Sequence, residues 1–363
     1  MRLLSTVQGR TGLSRGEIGP YSRPMRIASV VLLTLALVPS WSGTVPRQIL
    51  GKHPNIGAHP VPLRAADPDN RRLGALTYLG GVRLTSRDPA FGGFSAMRVE
   101  GDRFTLLSDY GSLVRFRLNA DWTVSEPEFG SLPGGPGTGW EKRDRDSESM
   151  AIDPATGRIW VGFERANAIW RYAPDFAAVE RHVAPRAMAD WPNPSGPEAM
   201  VRLRSGAFLV LSEGAAKQRG RRGSTKWPRI GLDAIRFAGD PTEAPTRGFH
   251  FRYLPPKDYA PTDMVELADG RLIVLHRKAS LREGFTAILS VVDPKAIRPG
   301  AVVQGREIAR LGGEVIHDNY EALAVTYEKD ATILWLASDD NQMWIEQSLL
   351  LKFRLDLPPA GGR

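Results

Sequence analysis

The feature that most restricts the fold is a repeat. From residue 73 onward the chain returns five times to one unit: a short strand of small apolar residues, a turn through Gly, Asp or Pro, and a β-branched and aromatic strand that ends on a polar or charged residue. The units read FSAMRVEGDRFTLLSDYG (94–111), SESMAIDPATGRIWVGFER (147–165), PEAMVRLRSGAFLVLSEG (197–214), TDMVELADGRLIVLHRK (262–278) and YEALAVTYEKDATILWLASDDN (320–341). Apolar and polar residues alternate between tight turns, the pattern of antiparallel strands, and no segment carries a long helical period. The openings at Ser95, Glu148, Glu198, Asp263 and Glu321 lie 53, 50, 65 and 58 residues apart, close to the length of a four-stranded propeller blade. An all-β β-propeller of five to six four-stranded blades is therefore predicted. A β-sandwich is the alternative, but it needs no regular unit of this length. The strand LTYLGGVRL (76–84) has no unit before it, so it is expected to supply the outer strand of the last blade and close the ring.

The first 72 residues read differently. Met25-Arg26 leads into the apolar run Ile27–Val38, and small residues Ser40, Ser42 and Gly43 follow. That is the layout of a secretory signal, shorter than the roughly 20 residues of a membrane span. Residues 1–43 are thus expected to be a leader with its start at Met25, and residues 44–72, rich in Pro, Arg and His, a linker. The propeller is placed at 73–357 and a tail at 358–363. With no cysteine there is no disulfide and no lipid-attachment thiol. A periplasmic or secreted monomer with no membrane span after signal cleavage is expected.

Net charge is +8, but residues 1–72 hold ten Lys/Arg and three Asp/Glu, a net of +7, which leaves 8 − 7 = +1 for the rest. The globular part carries no sustained basic stripe, and the one basic loop, Lys217–Arg229, reads as solvated, so no nucleic-acid partner is expected. There is no G-x-S-x-G elbow, H-E-x-x-H helix or P-loop.

Charge instead recurs at one place in each unit. In an antiparallel hairpin the start of the first strand lies beside the end of the second. This pairs Ser95 with Asp109, Glu148 with Glu164, Glu198 with Glu213, Asp263 with His276, and Glu321 with Asp339. Since the inner strands of a propeller converge on its axis, eight carboxylates are expected to ring one mouth of the channel. Like charges so crowded raise one another's pKa or require a cation, and a hard cation held by oxygen, most naturally Ca²⁺, answers that need. Arg165, Arg277 and Lys278, directly after the return strands, would neutralise part of the charge. Trp160 and Trp335 read as core, whereas Trp140 and Trp344 lie in loops that could line a cleft.

Taken in order, SDYGSLVRFRL, RDSESMAIDPATGRIWVGFE, PEAMVRLRSGAFLVLSEG, DMVELADGRLIVLHRK and DNYEALAV…LWLASDDN resemble the phytase-like domain family, "esterase-like activity of phytase", over about residues 74–357. The family's acid-Gly-Leu or acid-Ala-Leu opening is matched by Glu198-Ala199-Met200 and Glu321-Ala322-Leu323. The second unit departs from it with Asp146-Ser147-Glu148-Ser149, and the first has Ser95 in the acid's place. The resemblance implies a hydrolase of phosphate or other esters, acting on a small molecule. In that setting Ca²⁺ would be held by Asp109, Glu148, Glu164, Glu198, Glu213, Asp263, Glu321 and Asp339. His276 or His317 would transfer a proton, and Arg277 and Lys278 would bind the substrate anion. A Ca²⁺-dependent lactonase-type propeller and a non-catalytic ligand-binding propeller stand beside this reading.

Overall fold

The computed structural model describes residues 46–214, 230–341 and 346–358. The expected signal segment, the basic loop at 217–229 and Trp344 lie outside them. Among the described residues no helix is long and apolar enough to cross a membrane.

Five antiparallel sheets form five blades. From the axis outward, blade 1 runs Phe94–Glu100, Arg103–Ser108, Ser112–Leu118 and Val124–Ser131. Blade 2 runs Ser147–Ile152, Ile159–Phe163, Ala168–Tyr172 and Val179–Val183. Blade 3 comprises Pro197–Arg202, Phe208–Ser212, Leu232–Phe237 and Gly248–Leu254, with Val302–Gln304 added in parallel. Blade 4 holds Ala260–Glu266, Leu272–Ser280, Gly284–Val292 and Arg306–Leu311. Blade 5 is Asn319–Glu328, Ala331–Asp339 and Ser348–Leu355, completed by Leu76–Thr85 from the other end of the chain. Each inner strand contacts the inner strand on either side, blade 5 against blade 1 included, so the ring is closed.

Two expectations are thereby settled and one is corrected. The blade number is five, and the strand around 76–84 does close the ring. The stretch 44–72, read as a linker, has structure of its own: Gly57–Pro60 pairs with the closing strand, and Leu63 is fully buried in the core between blades 4 and 5. Its Pro and His residues break the alternation that marks a strand, which hid it.

The core lies between blades rather than within them. Successive side chains of a strand point to opposite faces, so neighbours in each second strand serve different interfaces. Leu106 packs toward blade 5 and Leu107 toward blade 2; Val274 packs toward blade 3 and Leu275 toward blade 5. With both faces covered, these strands become the apolar runs FTLL, IWVGF, FLVL, LIVL and ILWL.

One irregularity recurs in every blade. Pairing of the first two strands skips a residue at the same point: Phe94↔Ser108 is followed by Ala96↔Leu107, Ser147↔Phe163 by Ser149↔Gly162, Pro197↔Ser212 by Ala199↔Leu211, Pro261↔His276 by Asp263↔Leu275, and Tyr320↔Ser338 by Ala322↔Ala337. Ser95, Glu148, Glu198, Thr262 and Glu321 are therefore the extra residues of five equivalent β-bulges, a device that bends a strand and re-aims a side chain.

Candidate metal centre and active site

The bulges fix which residues can share the mouth. Opposite them, each one residue beyond the partner of the bulge (Ser108, Phe163, Ser212, His276 and Ser338), stand Asp109, Glu164, Glu213, Arg277 and Asp339. Blade 4 thus contributes Thr262 and Arg277, one residue away from the expected pair of Asp263 and His276. A shift of one residue moves every side chain of a strand to its other face, and both expected residues are accordingly elsewhere. Asp263 is 4% exposed and accepts from the backbone N–H of Met264 (2.8 Å) and of Leu323 in blade 5 (2.7 Å). It fastens one blade to the next. His276 is fully buried; its Nε2 accepts from the Tyr253 hydroxyl (2.7 Å) and its Nδ1 donates to the Ile288 carbonyl (3.1 Å). Burial pulls the imidazole down to about 4, so it is neutral and structural.

The bulge residues that are not acids have a job of the same kind. Ser95 Oγ donates to the Ser147 carbonyl (2.5 Å) and Thr262 Oγ1 to the Tyr320 carbonyl (3.3 Å), each in the next blade. The other two expected site residues sit aside. His317, its Nδ1 on the Val315 carbonyl (2.6 Å), lines a separate hollow of about 500 Å³ with Tyr259, Glu283 and Arg310. Lys278 turns to the same group, 3.6 Å from Glu283 and 5.9 Å from the Tyr259 ring.

What the structure does bring together is a ring of carboxylates. Ligand atoms of Asp146, Glu148 and Glu164 lie within 4.8 Å of one another, as do those of Glu164, Glu198 and Glu213. Glu164 belongs to both groups and touches the carboxylates of Asp146 and Glu198. Asp146, which the strand pairing alone did not select, precedes the blade 2 inner strand and accepts Glu164 N–H through its carbonyl (2.9 Å). Its position two residues before Glu148 was the available signal. On the blade 5–1 side stand Asp109, Glu321 and Asp339, with the Asn319 amide donating to Glu321 Oε1 (2.9 Å).

The protein answers part of this charge itself. Arg277 reaches Glu213 (3.2 Å) and Glu321 (3.0 Å), Arg165 meets Asp146 (2.6 Å), and Lys142 meets Asp109. Lys142 belongs to the loop joining blades 1 and 2, where no repeat marks it. Among the described residues no Lys or Arg forms an ion pair with Glu148, Glu164 or Glu198.

The unanswered charge shows in the proton equilibria. Burial, reinforced by Asp146, pushes Glu164 up to about 7. Burial raises Asp109 to about 7 against the pull of Lys142. Glu148 and Glu198 are raised well above the carboxylate range by burial and then by neighbouring acids, Glu198 acting on the first and Glu213 on the second. Asp339 is raised likewise, with Glu321 the main neighbour.

A cation suits this donor set. Every polar atom offered is a carboxylate or amide oxygen, the preference of a hard ion, with no histidine or thiol in the ring. Two of those oxygens, Asp109 Oδ1 and Asn319 Oδ1, are buried without a donor. Such orphaned acceptors are uncommon in proteins and call for an explanation such as an ion or water.

The family model for esterase-like activity of phytase, Phytase-like, matches residues 89–342. The chain belongs to this family. The match covers blades 1 to 4, the two inner strands of blade 5 and the carboxylates of the mouth. No curated protein matches the chain. Among solved structures it is similar to a hypothetical protein from Leishmania major, with 11% identity and a TM-score of 0.39 over 92% of this chain and 96% of that one. It is also similar to hydrazine synthase of Kuenenia stuttgartiensis, with 11% identity and a TM-score of 0.33, spanning 69% of this chain and 58% of that one.

Proposed function

We propose that this phytase-like propeller is an extracytoplasmic, metal-dependent hydrolase of phosphate esters or other esters, with Ca²⁺ held at its acidic mouth. The observation that carries the reading is the two carboxylate groups joined at Glu164, Asp146–Glu148–Glu164 and Glu164–Glu198–Glu213, in which Glu148, Glu164 and Glu198 have no ion pair among the described residues to balance them. These three would hold the cation with Asp146 and Glu213 beside them. When bound, the ion supplies a Lewis acid for an ester oxygen and lowers the pKa of water.

The chain's own residues supply the rest. Arg277, fixed between Glu213 and Glu321, presents a planar guanidinium to an anionic group at the axis. Arg165, 44% exposed at its side chain, stands at the rim of the same cluster. Burial of Asp109, Glu321 and Asp339 keeps the far side of the mouth dry, which strengthens every charge interaction there. Extracytoplasmic placement is supported by the apolar run Ile27–Val38 after Met25-Arg26.

The test is turnover of p-nitrophenyl phosphate, phytate, p-nitrophenyl acetate and a sugar lactone, in EDTA and in Ca²⁺. Wild type should hydrolyse at least one phosphate or carboxylic ester only with Ca²⁺, and the double change Glu164→Gln with Glu198→Gln should abolish it. Turnover that survives both EDTA and the double change would place the chemistry elsewhere. Turnover of the lactone alone would favour a lactonase, and none at all a binding protein.

A further inference from the structure

A hollow of about 650 Å³ opens on the face opposite the acidic mouth, at the seam between blades 5 and 1. The inner strands of these blades enter at the mouth with Ser95 and Glu321, and the hollow is built around their far ends. Asp102 and Phe104 line it after one strand, Tyr327 and Glu328 at the end of the other, and Trp122 and Trp335 complete the walls. Among the described residues it shares none with the two carboxylate groups. Its volume falls within the roughly 300–1,000 Å³ of small-molecule sites.

Trp122 is held there against its backbone preference. In the turn between the third and fourth strands of blade 1 it takes φ +68°, a left-handed conformation rare for a bulky residue and found where function demands it. Its N–H closes the turn on the Asn119 carbonyl (2.9 Å), and its indole crosses the seam to Gly80 of the closing strand, where a methyl would meet it at 2.1 Å. The ring stands 6.3 Å from that of Trp335, which meets Phe104 edge to face at 4.8 Å. Trp335 and Phe104 are buried, Trp122 is partly exposed, and Tyr327 is 47% exposed on the blade 5 side.

The charges of the rim are already matched. Asp102 pairs with Arg117 (2.5 Å) and Glu328 with Lys352 (2.7 Å), whose ammonium also lies 5.0 Å from the Trp335 ring centre. A cationic ligand would meet Lys352 and an anionic one Asp102 and Glu328, so the hollow suits a neutral molecule. Aromatic walls beside carboxylates and an ammonium match a pyranose: its C–H face packs on the negative face of a ring, while its hydroxyls donate to carboxylate oxygens and accept from the ammonium. A β-linked, glucose-configured unit carries its substituents equatorially, so it offers a C–H face to each blade. We propose that this hollow binds a neutral saccharide of such units, one ring packed against Trp122 and Tyr327 and its hydroxyls on Asp102, Glu328 and Lys352. The inference does not rest on the proposed function; a saccharide held on this face leaves the mouth open.

The experiment is calorimetric titration of the full chain with cellotetraose, chitotetraose and choline, in EDTA and in Ca²⁺. At least one tetraose should bind, alike in both media, and the Glu164→Gln, Glu198→Gln variant should bind it as wild type does. Trp122→Ala and Tyr327→Ala should each weaken binding by about tenfold, the equivalent of losing one aromatic contact, and Trp122→Phe by less. Trp122→Ala also removes packing at the seam; Tyr327→Ala, at a half-exposed position, decides the matter if that variant fails to fold by circular dichroism. Binding of neither tetraose, binding of choline in their place, or an unchanged affinity in Tyr327→Ala would overturn the inference. So would binding that needs Ca²⁺ or is lost with the mouth carboxylates, since the saccharide would then occupy the mouth.

Discussion

Glu164→Gln tests the electrostatics of the mouth most directly, because this carboxyl joins both acidic groups. Without a cation, wild type holds it at about 7 against an ordinary value of 4.5, through burial first and the Asp146 charge second. The folded state therefore binds more protons than the unfolded chain between those values, and stability falls as pH rises through that window and then levels off. At 1.36 kcal/mol per pH unit the loss above pH 7 is about 3 kcal/mol. Coulomb's law gives a similar figure: two charges at 4.8 Å, the outer limit of the grouping, repel by about 3 kcal/mol at an effective dielectric constant of roughly 20. A glutamine removes the charge, and its amide can donate to Asp146 or Glu198. At pH 8 in EDTA the variant should melt roughly 5 °C above wild type, and at pH 5 the gap should nearly close. Ca²⁺ at about a hundred times its Kd should restore about 2.7 kcal/mol to wild type and less to the variant. Calorimetry at the two pH values, in EDTA and in Ca²⁺, reads all four conditions. A variant less stable than wild type at pH 8 in EDTA would refute the crowding argument.

Three further outcomes follow from the contacts. Arg277→Met leaves Glu213 and Glu321 without their guanidinium and should cost about 3–5 kcal/mol in EDTA, read by urea unfolding, with part recovered on adding Ca²⁺. His276→Ala strands the buried Tyr253 hydroxyl and should cost about 1–3 kcal/mol, while the Ca²⁺ isotherm stays as in wild type; a changed isotherm would return His276 to the site. Asp263→Ala takes the acceptor from Leu323 N–H and Met264 N–H and should likewise lower the urea midpoint without changing the number of ions bound in dialysis.

The fold was legible because a propeller writes its period into the chain. Runs such as FLVL and LIVL face two neighbours at once, and five of them at regular spacing admit few other arrangements. The site was legible where an acid happened to occupy the bulge, as at Glu148, Glu198 and Glu321. It was misread in blade 4, where Thr262 and Asp263 stand side by side: both are polar, and a bulge alters the phase of the alternation that would otherwise tell which one faces the axis. The same slip promoted His276 over Arg277. Lys142 was missed for a different reason, since it comes from a connection between blades and nothing periodic announces it. Local pattern marks residues placed by a strand; it is silent on residues placed by a loop such as 136–146, whose shape depends on Asp144 and Arg145.

The closing strand gives the mouth an order of assembly. Leu76 pairs with Leu355 and Leu84 with Ser348, so the first blade strand to leave the ribosome waits for nearly the last. Until they meet, blade 5 lacks its outer strand. Contacts this distant in sequence form late because loop closure must precede them. A nascent or nicked chain would hold four blades' worth of acids with no completed basin for an ion, and a divalent cation would act as a latch that rewards only the sealed ring.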